Sequence, residues 1–256
     1  MNKIMIGSLS SKVQLGYYEN AEKANNIPLT IISAFGTVMM PMMSNLAATG
    51  NKKRIKMEFV MRLTFTLAFG IGGVADVFTP VFWGKNFTDC GWLITGLSVT
   101  IPFIAFANVI RTQYLIPEKR DKEYLTSVII GAVVDLSLNS ILIPILDAKG
   151  AVIGTIAAEV SVCLVQVFVV RNELPVINYF VKSLPFLGFG VVMFISLILI
   201  EGALGIHLYT LLLQIAVGGS LYLVLCAIYF SKTKNAVFMN MVHQIKSKLR
   251  KSNSVK

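Results

Sequence analysis

Asp135, Asn139 and Glu159 are the residues of this chain whose types and spacing most invite chemistry. Asp135 and Asn139 stand four apart, on one face of a helix, within the run EYLTSVIIGAVVDLSLNSILIPIL. A short DAKG turn follows, and Glu159 lies inside the next run, AVIGTIAAEVSVCLVQVFVVR. Each run is long enough to cross a bilayer as a helix, since a hydrocarbon core of about 30 Å needs about 20 residues. An ionised carboxylate facing lipid costs at least roughly 2.5 kcal/mol, so such groups face a bundle interior or a water-filled cavity. The three are therefore expected to line a polar cavity, where Asp135 can take up a proton during a transport cycle. The plainer alternative is a structural one, in which Asp135 and Glu159 only hold neighbouring helices together.

Three cations also stand within apolar runs: Lys3, Arg62 and Arg111. Arginine binds phosphate groups through a planar two-pronged donor array, so these are candidate anion ligands. Arg62 and Arg111 each lie about six residues from an expected helix end, within snorkelling reach of water, and that reading stays open for both. Lys3 is deeper if its short segment belongs to a longer helix, which makes it the preferred cation. Tyr18, Glu19 and Asn20, with Tyr17, Glu22 and Lys23, gather near one end of the first full span, where they meet ligand at an external mouth or anchor and cap the helix. His207 and His243 have no Cys or carboxylate at ligand spacing, so no metal site and no cofactor is expected. The three cysteines show no metal or disulfide pattern.

The elements that must carry these groups are helices. Of 256 residues, 55% are hydrophobic and only 14% charged, against nearer a quarter charged in soluble domains. A stub at Met1 to Ser10 spans only about 15 Å as a helix. Seven full spans then follow, near 15–47, 57–83, 92–117, 123–146, 151–171, 184–204 and 208–230. Pro28 and Pro41 are expected to kink the first. Residues 175–183, PVINYFVKS, read as a short surface segment before the last two spans. In the tail, Phe238, Met241, Val242, Ile245 and Leu249 share one helical face beside lysines and arginines, as in an interfacial amphipathic helix; a solvated basic tail is the alternative.

The formal charge of +10 does not indicate nucleic acid, because the cations sit between apolar runs. NKKRIK (51–56) holds four, GKNFTDCG one, EKRDKE (118–123) three, DAKG one, the connection after Arg171 adds Lys182, EGALGIH holds none and the tail after Phe230 seven. Rich and poor connections alternate, the positive-inside pattern, which assigns the C-terminus to the cytoplasm.

Several stretches resemble the Wzx-type polysaccharide flippases of the multidrug/oligosaccharidyl-lipid/polysaccharide exporter superfamily: NKIMIGSLS, QLGYYENAEKANNIP, FGTVMMPMMSNLAATG, NSILIP, GAVIGTIAAE and FVVRNELP. The resemblance implies an all-α, polytopic transmembrane bundle: a C-terminal six-helix lobe at 1–172 with its first helix truncated, a linker and extra helix pair at 173–230, and a basic cytoplasmic tail at 231–256. It implies a bacterial inner-membrane carrier of lipid-linked oligosaccharide for capsule, exopolysaccharide or O-antigen synthesis. A missing or separate N-terminal lobe and a polysaccharide polymerase machinery are the implied partners. At position 135 the family often has Asn where this chain has Asp. Competing readings are half of a drug/cation antiporter, or an inert fragment or assembly subunit. A membrane enzyme would need a clustered catalytic motif, and none is visible.

Overall fold

The computed structural model describes residues 1–45, 52–116 and 118–233, and the side chains among these outside 35–62, 113 and 177. The tail segment expected to be amphipathic lies outside the described residues. Among those described there is no strand. The chain runs through α1 (Asn2–Leu9), α2 (Lys12–Asn45), α3 (Lys52–Phe82), a 3-10 turn (Lys85–Phe87), α4 (Cys90–Ser98), α5 (Thr100–Ile110), a π turn (Arg111–Leu115), α6 (Asp121–Val170), α7 (Val176–Leu204) and α8 (Leu208–Lys232).

Among the described residues five candidate membrane spans are long and apolar enough to cross: Leu63–Phe82, Cys90–Ile110, Asp121–Val170, Asn178–Leu204 and Leu208–Lys232. The third, α6, is a hairpin rather than a rod. At Asp147 the backbone turns through φ 52°, ψ −135°, and arms 121–146 and 148–170 fold against each other. Gln166 Nε2 donates to Ser127 Oγ at 3.1 Å, although the two are 39 residues apart. A straight helix would separate them by about 58 Å. Positions within one residue of equidistant from Asp147 therefore lie level: 127 with 166, 131 with 162, 139 with 154. Small residues permit the contact. A Cβ on Gly131 would stand 2.3 Å from Val162, and one on Gly154 would stand 2.0 Å from Asn139 Oδ1.

Counting both arms, six of the seven apolar crossings expected from the sequence are present among the described residues. The first falls on α2, which is 34 residues long; its opening third carries Lys12, Glu19, Glu22 and Lys23, and the side chains of its later part, from 35 on, lie outside those described. Its helix continues through Pro28. The span expected at 92–117 is divided at Val99, because Pro102 has no N–H to offer the Ser98 carbonyl one turn back. Residues 175–183 do not form a separate surface segment. They open α7 directly, with Val176, Tyr179, Ser183 and Phe186 all buried on its inner side. Pro175 stands just before the first helical turn, where a missing N–H costs nothing.

Among the described residues two apolar cores hold the helices together. One packs α7 and α8 on α3, α5 and the second arm of α6, through residues such as Phe186, Met193, Leu197, Phe65, Ile101 and Val170. The other joins α1, α2, α3, α4 and the bend of α6 through Ile6, Tyr18, Ala75, Leu93, Ile94 and Val152. Connections gather at two ends. At one end Ser10 Oγ donates to Asp147 Oδ1 at 2.6 Å, Tyr17 OH donates to the Asn86 carbonyl at 2.8 Å, and the Lys149 ammonium lies 5.5 Å from the centre of the Trp92 ring. At the other, Arg120 reaches Glu173 at 2.8 Å.

Adding bulk inside the hairpin is expected to force its arms apart. Gly131→Leu should lower stability by about 1–3 kcal/mol, the usual cost of overpacking. Gly16→Ala, at a position with nothing within 4 Å, should not lower it. Thermal unfolding of the detergent-solubilised chain distinguishes the two.

Candidate functional site

The level pairing of α6 explains the site. Asn139 and Thr155 each lie eight residues from Asp147, about 12 Å down their arms, and Asp135 and Glu159 lie one further turn down. Ser10 meets Asp147 at the bend, so counting eight residues back along α1 brings Asn2 to the same depth. Tyr18 descends α2 by a similar distance.

These side chains make one polar knot. Asn2 Nδ2 donates to Tyr18 OH at 2.9 Å and to Thr155 Oγ1 at 2.7 Å, and the Tyr18 and Thr155 hydroxyls are 3.0 Å apart. Asn139 Nδ2 donates to Asp135 Oδ1 at 2.9 Å and to Asn2 Oδ1 at 3.2 Å. Thr155 also donates to the Ala151 carbonyl at 2.7 Å. The knot therefore ties α1 and α2 to both arms of α6, and hydrogen bonding is how such groups become tolerable away from water.

From the knot an open-sided cleft of about 380 Å³ runs along the hairpin, lined among others by Asn2, Asp135, Thr155, Glu159, Gln166 and Arg111. Its two carboxylates lie near one end and its guanidinium near the other. Arg111 Nη1 donates to Tyr124 OH at 3.1 Å, with the guanidinium carbon 5.4 Å from that ring's centre. Among the described residues no cation lies within salt-bridge distance of Asp135 or Glu159. Nor is any described group of three or more His, Cys, Asp or Glu placed to hold a metal ion.

Of the residues singled out from the sequence, Arg111, Asp135 and Glu159 line the cleft, and Asn139 is buried behind it as a partner of Asp135. Lys3 does not line it. It pairs with Glu22 at 2.6 Å, because neighbouring helical residues point about 100° apart and Asn2 takes the inward face. The same phase separates Tyr18, which is 2% exposed in the knot rather than at a mouth, from Glu19, which pairs with Lys23 at 2.9 Å. Asn20 is part-buried in α2, outside the cleft lining. Arg62 falls within α3, but its side chain is outside those described. Asn2, Thr155, Tyr124 and Gln166 were missed by sequence reasoning. Thr155 precedes Glu159 by four, so helical phase alone could have found it. Gln166 could have been found as an amide within an apolar run.

Comparison with known proteins bears on the fold. A family model described as polysaccharide biosynthesis protein matches residues 1–91, which include α1, α2 and α3 and hence Asn2 and Tyr18. No curated protein gives a significant match. Among solved structures, the lipid II flippase MurJ in an inward closed conformation superposes with a TM-score of 0.75 at 17% identity, over 91% of this chain and 51% of that one. The chain thus has the all-helical, multi-pass fold of that flippase and spans about half its length.

The open side of the cleft makes a labelling prediction. In a cysteine-free background, Glu159→Cys should react with a small water-soluble thiol reagent at least about tenfold faster than Leu164→Cys, which faces outward and is 61% exposed to what would be lipid. Reaction rates in native membrane vesicles measure this.

Proposed function

We propose that this chain forms one lobe of a carrier that moves polyprenyl-diphosphate-linked oligosaccharide units across the bacterial inner membrane, for capsule, exopolysaccharide or O-antigen synthesis. The observation that carries the reading is the charged cleft along the α6 hairpin, set in a lobe with the fold of a lipid-linked precursor flippase. In this reading the sugar and diphosphate pass through the cleft while the polyprenyl tail stays in lipid beside α7 and α8. Arg111 meets the diphosphate through its planar donor array. A second lobe, supplied by the same or another polypeptide, faces the open side of the cleft, and the two rock about it in alternating access. No covalent step is needed, so no catalytic residue is assigned.

The polar knot has a part in that cycle. Asp135 touches Asn139 directly and lies one bond further from Asn2, so its protonation would remake the bonds that tie α1 to the hairpin. The connections at 51–56 and 118–123 and the tail face the cytoplasm in this reading, where their cations meet anionic lipid. The polymerase that consumes the exported units is the expected downstream partner.

The test is genetic. Deleting the gene should abolish surface polysaccharide and leave lipid-linked oligosaccharide on the cytoplasmic leaflet. Complementation with Arg111→Gln or Asp135→Leu should restore roughly a tenth of wild-type export or less, equivalent to about 1.4 kcal/mol or more at the rate-limiting step. Efflux of cationic dyes should be unchanged. Normal polysaccharide together with lost dye efflux would instead identify a drug/cation antiporter. Normal values for both would identify an inert chain.

A further inference from the structure

Resting on that reading of Arg111, we propose that Glu173, Arg120 and Tyr114 form a clip at one end of the lobe that positions Arg111 and so sets the affinity of the cleft for a diphosphate. None of the three lines the cleft. They act through Arg111 and are positioning residues.

The path is short and closed. Arg111 opens the π turn, in which the Ile116 amide donates to the Arg111 carbonyl at 3.0 Å, five residues apart rather than four. The Arg120 amide donates to the Leu115 carbonyl at 2.8 Å with the same spacing. Such widened turns are rare and occur mostly as single bulges in helices, frequently at functional sites. Contacts on both sides hold this one. Leu115 is fully buried in the core. Tyr114, three residues after Arg111, donates its hydroxyl proton to Glu173. Arg120 Nη1 donates to both oxygens of Glu173, at 3.0 and 2.8 Å, and Arg120 Nε donates to Glu123 at 3.0 Å. The Arg120 guanidinium lies 6.0 Å from the centre of the Tyr114 ring.

From Arg120 the path returns to the cleft. The Tyr124 amide donates to the Arg120 carbonyl at 3.4 Å, one turn on, and the Tyr124 hydroxyl accepts from Arg111. Arg111 is thus fixed twice, through the π turn to Tyr114 and through Tyr124 to Arg120, and Glu173 joins both routes. A lone surface ion pair contributes little to stability. This carboxylate differs in taking donors from two residues and in joining the connection between α5 and α6 to the connection between α6 and α7. Preorganised geometry of this kind is what a binding site requires of the groups behind its ligands.

The experiment uses the full chain in lipid nanodiscs, with farnesyl diphosphate as probe and farnesol as control. Arg111→Gln tests the underlying reading and should abolish diphosphate binding while leaving farnesol binding unchanged. Glu173→Gln should weaken diphosphate binding about tenfold, leave farnesol binding and the thermal midpoint unchanged, and speed amide exchange across 111–116. Tyr114→Phe, which keeps the ring and loses one donor, should give a smaller loss in the same direction. Wild-type diphosphate affinity in both Glu173→Gln and Tyr114→Phe, with Arg111→Gln inactive, would overturn the clip and leave the reading standing. Wild-type affinity in Arg111→Gln would overturn both.

Discussion

Everything in this lobe depends on how it keeps ionisable and amide side chains out of hydrocarbon. Lipid offers no hydrogen bonds, and a carboxylate facing it costs several kcal/mol. Asp135 and Glu159 sit on separate arms of α6, each about 18 Å from the bend. Folding the arms together puts both on one face, so a single cleft shelters them. The bend at Asp147, the close contact of Gly131 and Gly154 across the hairpin, and the knot around Asn2 all serve that alignment. A rod of the same sequence would spread its polar groups along some 75 Å, with nothing to meet them.

The remaining helices extend this solution. α1 and α2 bring Asn2 and Tyr18, which hydrogen-bond the hairpin's Thr155 hydroxyl, and Asn2 also accepts from the Asn139 amide. α3 packs across the lobe, and α7 and α8 lie against it with many of their apolar side chains facing outward. Gly73 lets α3 and α7 approach closely, since a Cβ there would stand 2.7 Å from Leu197. Outward apolar surface is what a lipid-facing helix pair needs. Within that pair, Gln214 of α8 donates to the Leu197 carbonyl at 2.9 Å, so even its buried amide hydrogen has a partner.

Much of the fold was legible in the sequence because apolar length is a strong signal. The hairpin, its turn at DAKG and the last two spans were all readable from runs of about 20 apolar residues. The start of α7 was misread because PVINYF looks amphipathic alone; its buried face shows only once Tyr179 and Phe186 meet the core. The division at Val99 was also missed, though Pro102 signalled it. For the site, residue type was informative and helical phase decided. Asp135, Glu159 and Arg111 reach the cleft, whereas Lys3, one residue from Asn2, turns away to Glu22. Tyr18 looked like an interfacial tyrosine because hydropathy cannot see that Thr155 waits 137 residues further on. No local pattern reports such a pairing.

The account stands on the lobe lying across the membrane with its two groups of connections in opposite compartments. Lys85 belongs to the end that holds Ser10 and Asp147; Lys119 belongs to the end that holds Arg120 and Glu173, and both are exposed. The most direct measurement is labelling of Lys85→Cys and Lys119→Cys, in a cysteine-free background, with a membrane-impermeant thiol reagent added to spheroplasts. The account predicts that position 85 labels in intact spheroplasts and position 119 only after permeabilisation. Equal labelling of both before permeabilisation would contradict it.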